Sequence, residues 1–297
     1  MKTILIAGGA GYIDSHLEEQ FSITSIDYGI ISTEKDFINL DITDIYKVND
    51  FAKNCDCFDI LIFLVGLAHA KGEGKDLFEF KKMNYQTLVN LLSALHSNNK
   101  IPRKIIFAST ISVYGEKYNQ STYNEDSMKI PFTPYAITKL QAEQYLLNNF
   151  TNRLWILRFA PVYSSDYLLN INRRTRMGFR FYRVGKGHRK LSLCNIENIR
   201  FAVEAIIKDK VPTGIYNLSD QKEYTYNELL RWYKPELIFP IPVFAVNLLY
   251  FLGKFANNTF LKENTIKLIS DNIYTSDKIR SHIDLPWTIY DVQFGLG

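Results

Sequence analysis

Cysteine is scarce in this chain: Cys55, Cys57 and Cys194 are the only three in 297 residues. They give neither a disulfide framework nor the spacing of a zinc site, so no metal is expected. They read as small buried or half-buried thiols in a reducing compartment. Long apolar runs are missing too. Met1-Lys2 is followed by a five-residue run, too short for the core of a signal peptide and better suited to a strand. The most apolar later stretch, Ile238 to Ala256, is interrupted by Pro240, Pro242, Asn247 and Gly253, which argues against a membrane span. A cytoplasmic, soluble protein is expected. Charge of one sign is not in large excess either, the net value being +4. The densest basic segment carries Arg173, Arg174, Arg176, Arg180, Arg183, Lys186, Arg189 and Lys190. It suits a phosphorylated small molecule as well as nucleic acid, and most of it reads as a solvated face. A small-molecule ligand is expected, and no nucleic acid. Internal repeats and low-complexity tracts are absent.

What is present is an alternation. Thr3 to Ala7 is a short run rich in β-branched residues, followed at once by Gly8, Gly9 and Gly11, as a buried parallel strand ending in a tight turn would be. Further strands are expected at Ile23 to Ile26, Phe37 to Leu40, Asp59 to Leu64, Lys104 to Ala108 and Leu154 to Arg158. Helical periodicity fills Phe80 to Asn98 and Tyr135 to Asn148. Strands alternating with helices predict an α/β fold, a doubly wound parallel sheet of Rossmann type, with ligands at the carboxyl ends of the strands. After Tyr163 the alternation weakens, apart from a helix over 196–208 and a strand over 214–218. The expected division is a dinucleotide-binding domain over 1–163 and a smaller substrate-binding lobe over 164–297. Segment 196–218 would pack back on the first domain.

Four strand ends carry candidate chemistry. Gly8 to Asp14 (GGAGYID) is a strand-to-helix turn whose backbone N–H groups suit a pyrophosphate, with Asp14 standing where a third glycine is expected. Asp27 closes the second strand, where a carboxylate can accept ribose hydroxyls and repel a 2′-phosphate. That favours NAD over NADP. Asp41-Ile42, after the third strand, are candidates for holding an adenine amino group. Hydroxyls in Ala108 to Gly115 (ASTISVYG) can steady a substrate alcohol or carbonyl. Tyr135 and Lys139 stand one helical turn apart, so both side chains leave one helix face. A cation there favours the phenolate of a group that otherwise titrates near ~10.

In order along the chain, GGAGYI (8–13), Asp41-Ile42, LVGLAH (64–69), MNYQTLVNLL (83–92), STISVYG (109–115), PYAITK (134–139) and LRFAPVY (157–163) form a set. The chain resembles the extended short-chain dehydrogenase/reductase family, in its nucleoside-diphosphate-sugar epimerase branch. The resemblance implies Tyr135 as general acid/base, Lys139 as its partner and holder of a nicotinamide ribose, and Thr110 as hydrogen-bonding partner of the reacting sugar hydroxyl. It implies NAD contacts at Gly8, Gly11, Tyr12, Ile13, Asp27, Asp41, Ile42, Leu64, Val65 and Gly66, with Asn84 structural and His69 satisfied within its loop. Ser112, Asn170 and Arg189 are the implied substrate contacts, with Arg173 and Lys190 as neighbours. Ile111-Ser112 stand where the family's dehydratases carry an Asp-Glu pair, so dehydration is not expected.

The resemblance therefore implies an NAD-dependent epimerase acting on a nucleotide-linked sugar through a keto intermediate. It also implies a homodimer formed through the helices around 83–98 and 136–149, and a place in polysaccharide precursor synthesis. Two alternatives use the same residues. One is an NAD(P)H-dependent keto-sugar reductase; the other is a catalytically impaired NAD-binding homologue, motivated by Asp14 and the short first βαβ unit.

Overall fold

A computed structural model describes residues 2–8, 21–28, 36–67, 76–115, 117, 120–256 and 258–292. The chain divides into two compact units. The first comprises Met1–Val113, Thr133–Arg158 and Val203–Tyr216; the second comprises Tyr114–Phe132, Phe159–Ala202 and Asn217–Gly297.

The first unit is built on a sheet of seven strands. From one edge to the other these are Gly214–Leu218, Leu154–Phe159, Lys104–Thr110, Ile60–Phe63, Thr3–Ala7, Ser22–Asp27 and Phe37–Asn39. Strands from Lys104–Thr110 to Phe37–Asn39 pair in parallel. Their continuous apolar runs follow from burial on both faces: Ile4, Leu5, Ile6 and Ala7 are all fully buried, as are Leu61, Ile62 and Phe63. The order reverses beside Thr3–Ala7, whose neighbours are Ser22–Asp27 on one side and Ile60–Phe63 on the other. This is the switch point at which doubly wound sheets bind ligands. The strand containing Ser109 and Thr110 is longer than expected and runs on to Thr110.

Two helices frame the switch point. Residues 77–97 do not form one uninterrupted helix. A π turn over Lys82–Gln86 separates Leu77–Lys81 from Thr87–Ser97. Asn84 lies in that turn, fully buried. Its Oδ1 accepts from Leu67 N at 2.5 Å, and its amide nitrogen donates to Leu67 O (3.3 Å) and Thr138 Oγ1 (3.1 Å). The polar side chain takes both backbone groups of Leu67, and π turns of this kind are frequent at functional sites. The second helix, Pro134–Phe150, starts where Thr133 caps it by accepting from Ala136 N, with Pro134 in the first turn.

The second unit mixes short elements. A core of Tyr163, Ile171, Leu191, Leu193, Tyr224 and Leu229 is closed by Ile289. Buried Asp220 accepts from Tyr163 Oη (2.6 Å), Tyr224 Oη (2.9 Å), Asn195 N (2.7 Å) and Asn198 Nδ2 (2.9 Å). Burial outweighs these bonds and pushes its carboxyl up to about 6. Arg176–Met177 and Arg180–Val184 form a hairpin, extended by Ile238–Ile241 in parallel; the helix Val243–Phe255 follows directly and packs on Thr259–Ile269.

Candidate active site

Capping at Thr133 sets the phase of the helix that follows. Tyr135, Lys139 and Glu143 come at intervals of four and share the face turned towards the sheet; Lys139 is 2% exposed and Glu143 0%. Tyr135 is half-buried and hydrogen-bonded to Thr110, the last residue of its strand and itself 8% exposed. Thr110 Oγ1 also accepts from Ser112 N at 3.2 Å and lies 3.3 Å from Ser112 Oγ. Ser112 therefore sits beside the tyrosine's partner, whereas the Ile111 side chain is buried in the core.

Lys139 reaches across two strand ends. Its Nζ donates to Ala108 O (2.9 Å) and Val65 O (3.1 Å) and lies 4.8 Å above the Phe107 ring. Gly66 leaves room for it, since a Cβ there would stand 3.0 Å from the ammonium nitrogen. Desolvation pulls Lys139 down to about 7, and Glu143 one turn on opposes that shift. Burial pushes the Tyr135 phenol up to about 12, eased by the Thr110 hydrogen bond. A phenol that must shed its proton near neutral pH therefore needs more positive charge beside it than these side chains provide.

Around these groups stand the glycine turn and the strand ends. Gly8 has φ +85°, and a Cβ there would come within 2.9 Å of Val65 N. Only glycine fits both constraints. Gly8 N donates to Ile26 O, and Leu64 N to Ala7 O, so the ends of three adjacent strands are tied together. Asp27 lies at the end of its strand, with Oδ1 accepting from Tyr28 N at 2.8 Å. Asp41 is turned into its own loop, where Oδ1 accepts from Thr43 N (2.9 Å) and Thr43 Oγ1 (2.7 Å). The Ile42 side chain is buried and its carbonyl accepts from Asn90 Nδ2. Gly11, Tyr12, Ile13, Asp14 and His69 lie outside the described residues.

Residues 4–217 match the model of the NAD dependent epimerase/dehydratase family. The chain belongs to that family. It is 30% identical over 207 residues to an uncharacterized UDP-glucose epimerase of Bacillus subtilis, covering 62% of each chain. It is 28% identical over 189 residues to a putative UDP-arabinose 4-epimerase of Arabidopsis thaliana, covering 55% of this chain and 42% of that one. The chain thus spans less than two thirds of the length of either relative. In fold it is similar to the UDP-glucuronic acid 4-epimerase of Bacillus cereus in complex with UDP-glucuronic acid and NAD. There the TM-score is 0.69 at 20% identity, covering 97% of this chain and 94% of that one.

The match to the family ends near the last strand of the sheet, and the remaining sequence-based candidates lie in the second unit. Asn170 donates to Val162 O at 2.8 Å, and exposed Arg189 approaches Asp271 at 3.9 Å. Lys190 pairs with Glu223. These side chains are engaged locally within that unit.

Sequence reasoning missed three members of the buried network behind Lys139. Glu143 receives Arg158 Nη2 at 2.6 Å and Nε at 3.0 Å, and Ser109 Oγ donates to the same carboxylate. Both charged side chains are 1% exposed. A signal for Glu143 existed in its spacing, four residues after Lys139 and eight after Tyr135. Arg158 and Ser109 carried none, because only the fold brings them to it.

Proposed function

We propose that the first unit binds NAD and epimerises a nucleotide-linked sugar by transient oxidation and re-reduction of a carbinol carbon. The observation that carries this reading is the Tyr135 phenol, hydrogen-bonded to Thr110 and one helical turn from the Lys139 ammonium, at the carboxyl end of the sheet. The residues present fit a dinucleotide. Gly8 brings backbone against backbone where a side chain would block the approach, and Asp27 offers an acceptor at the ribose position. Bound NAD supplies the hydride acceptor and donor, and a positive ring.

The chain's own residues handle the proton. Tyr135 takes it from a sugar hydroxyl and returns it, and Thr110 holds the same oxygen in line. Lys139, when protonated, offsets burial of the phenolate, and it would hold the nicotinamide ribose. Buried Ile111 offers no acid where a dehydratase would need one, which supports epimerisation over loss of water. Gly11, Tyr12, Ile13, Asp41, Ile42, Leu64, Val65 and Gly66 complete the proposed cofactor contacts, and Ser112, Asn170 and Arg189 the substrate contacts. A cytoplasmic homodimer in polysaccharide precursor synthesis completes the reading. Among the described residues no helix is long and apolar enough to cross a membrane.

The test is to denature freshly purified protein and assay the supernatant for released dinucleotide, beside an Asp14→Gly variant. Stoichiometric NAD from the original chain is expected. Empty protein in both forms would contradict the proposal. NADP in place of NAD would favour an exchangeable-cofactor reductase.

A further inference from the structure

The helix Val243–Phe255 departs from the usual rule of burial. Val246 and Gly253 face inward, and a Cβ on Gly253 would lie 3.1 Å from Lys262 N of the neighbouring helix. On the opposite side Phe244, Leu248, Phe251, Leu252 and Phe255 follow one another at helical spacing, each between 51% and 93% exposed. Such a contiguous apolar stripe marks a surface that is covered when the protein works.

Two further observations define what covers it. No carboxylate occurs between Leu237 and Asn258, and segment 172–190 carries eight lysines and arginines with no carboxylate. At the hairpin tip Arg180 stacks over Phe179 and Phe239, both exposed, and Phe239 lies on the strand that leads into the helix. Beside that strand is a groove of about 480 Å³ lined by Arg183, Arg231, Lys234 and Ile238. Arg183 Nε is buried there with no hydrogen-bond partner among the described residues.

We propose that the helix Val243–Phe255 and the adjoining basic hairpin seat this protein peripherally on an anionic lipid surface. The aromatic stripe enters the acyl boundary, while Arg180, Arg231 and Lys234 meet headgroup phosphates and the cationic groove takes one of them. A second copy of the chain fits this face less well. A two-fold contact sets each patch against itself, and cations that no carboxylate on the stripe offsets would face one another.

The experiment is co-sedimentation of the full chain with vesicles of phosphatidylcholine alone or of phosphatidylcholine containing phosphatidylglycerol, at low and raised salt. The double variants Phe251→Glu/Phe255→Glu and Arg180→Glu/Arg231→Glu run beside it. Light scattering and an unfolding midpoint monitor each protein. Binding to the anionic vesicles alone is expected, weakened by salt and reduced at least about tenfold in both variants with the midpoint unchanged. Equal binding to both vesicle types, or none to either, would overturn the proposal. So would a dimer that the phenylalanine variant disrupts, because the stripe would then belong to a second copy.

Discussion

The helices Pro134–Phe150 and Val243–Phe255 invert the usual placement of side chains in opposite ways. The first buries a lysine and a glutamate completely; the second leaves three phenylalanines in solvent. Buried charge is costly unless it is paired, and exposed aromatic surface is costly unless it is covered. In the first helix the compensation is inside the unit: Glu143 is held by Arg158 and Ser109, and Lys139 by two carbonyls. Among the described residues the exposed side of the second helix has no such partner. Local rules broken with a visible compensation point to chemistry, and the same rules broken without one point to a partner.

The comparison can be broken most forcefully at the proposed catalytic face. Tyr135→Phe keeps the ring but removes the proposed proton carrier, so kcat is expected to fall by about 100- to 10,000-fold, with NAD retained on the protein. Steady-state assay and dinucleotide release check both halves. Next comes the compensating pair. Arg158→Met strands Glu143 as an unpaired buried charge and is expected to cost about 3–5 kcal/mol, read from urea unfolding.

Lys139 gives a subtler signature in pH. Its folded pKa lies near 7 against 10.5 for a free side chain. The cost of burying the cation is therefore absent above about 10.5, grows as pH falls, and is complete below about 7. Lys139→Met should flatten the rise of the urea midpoint between pH 7 and 10. Thr110→Val removes the hydrogen bond that lowers the Tyr135 pKa. The limb of kcat/KM that follows phenolate formation should then move to higher pH, with a modest fall in the plateau. The smallest effect belongs to the other helix. Phe251→Glu alters an exposed side chain, and its unfolding free energy should change by no more than about 0.5 kcal/mol.

The parallel sheet was readable because strands buried on both faces leave continuous β-branched runs such as Thr3 to Ala7; Tyr135 and Lys139 were readable as a pair from their spacing, and Thr110 only through the family resemblance. The π turn at Lys82–Gln86 was not. Its neighbours keep helical periodicity, and what changes the hydrogen-bonding pattern is a tertiary contact from Asn84 to Leu67. Helix Ile45–Asn54 also escaped notice, although Asp44 caps it and Val48 and Ala52 bury one face. The stretch after Ile238 reads in sequence as short helices with loops and, with Pro240, Pro242, Asn247 and Gly253 interrupting it, not as a membrane span. Its prolines in fact precede the helix, with Pro242 as the capping residue. Arg158 reads as part of a strand and becomes half of an ion pair only once Glu143 is folded against it.

The measurement that bears most directly on this account is conversion of UDP-sugars of the kinds the relatives are named for, followed by NMR with no reductant added, for the original chain and Tyr135→Phe. The account predicts interconversion of C4 epimers by the original chain, and its near-complete loss in a variant that still carries NAD. Undiminished conversion by Tyr135→Phe would contradict it.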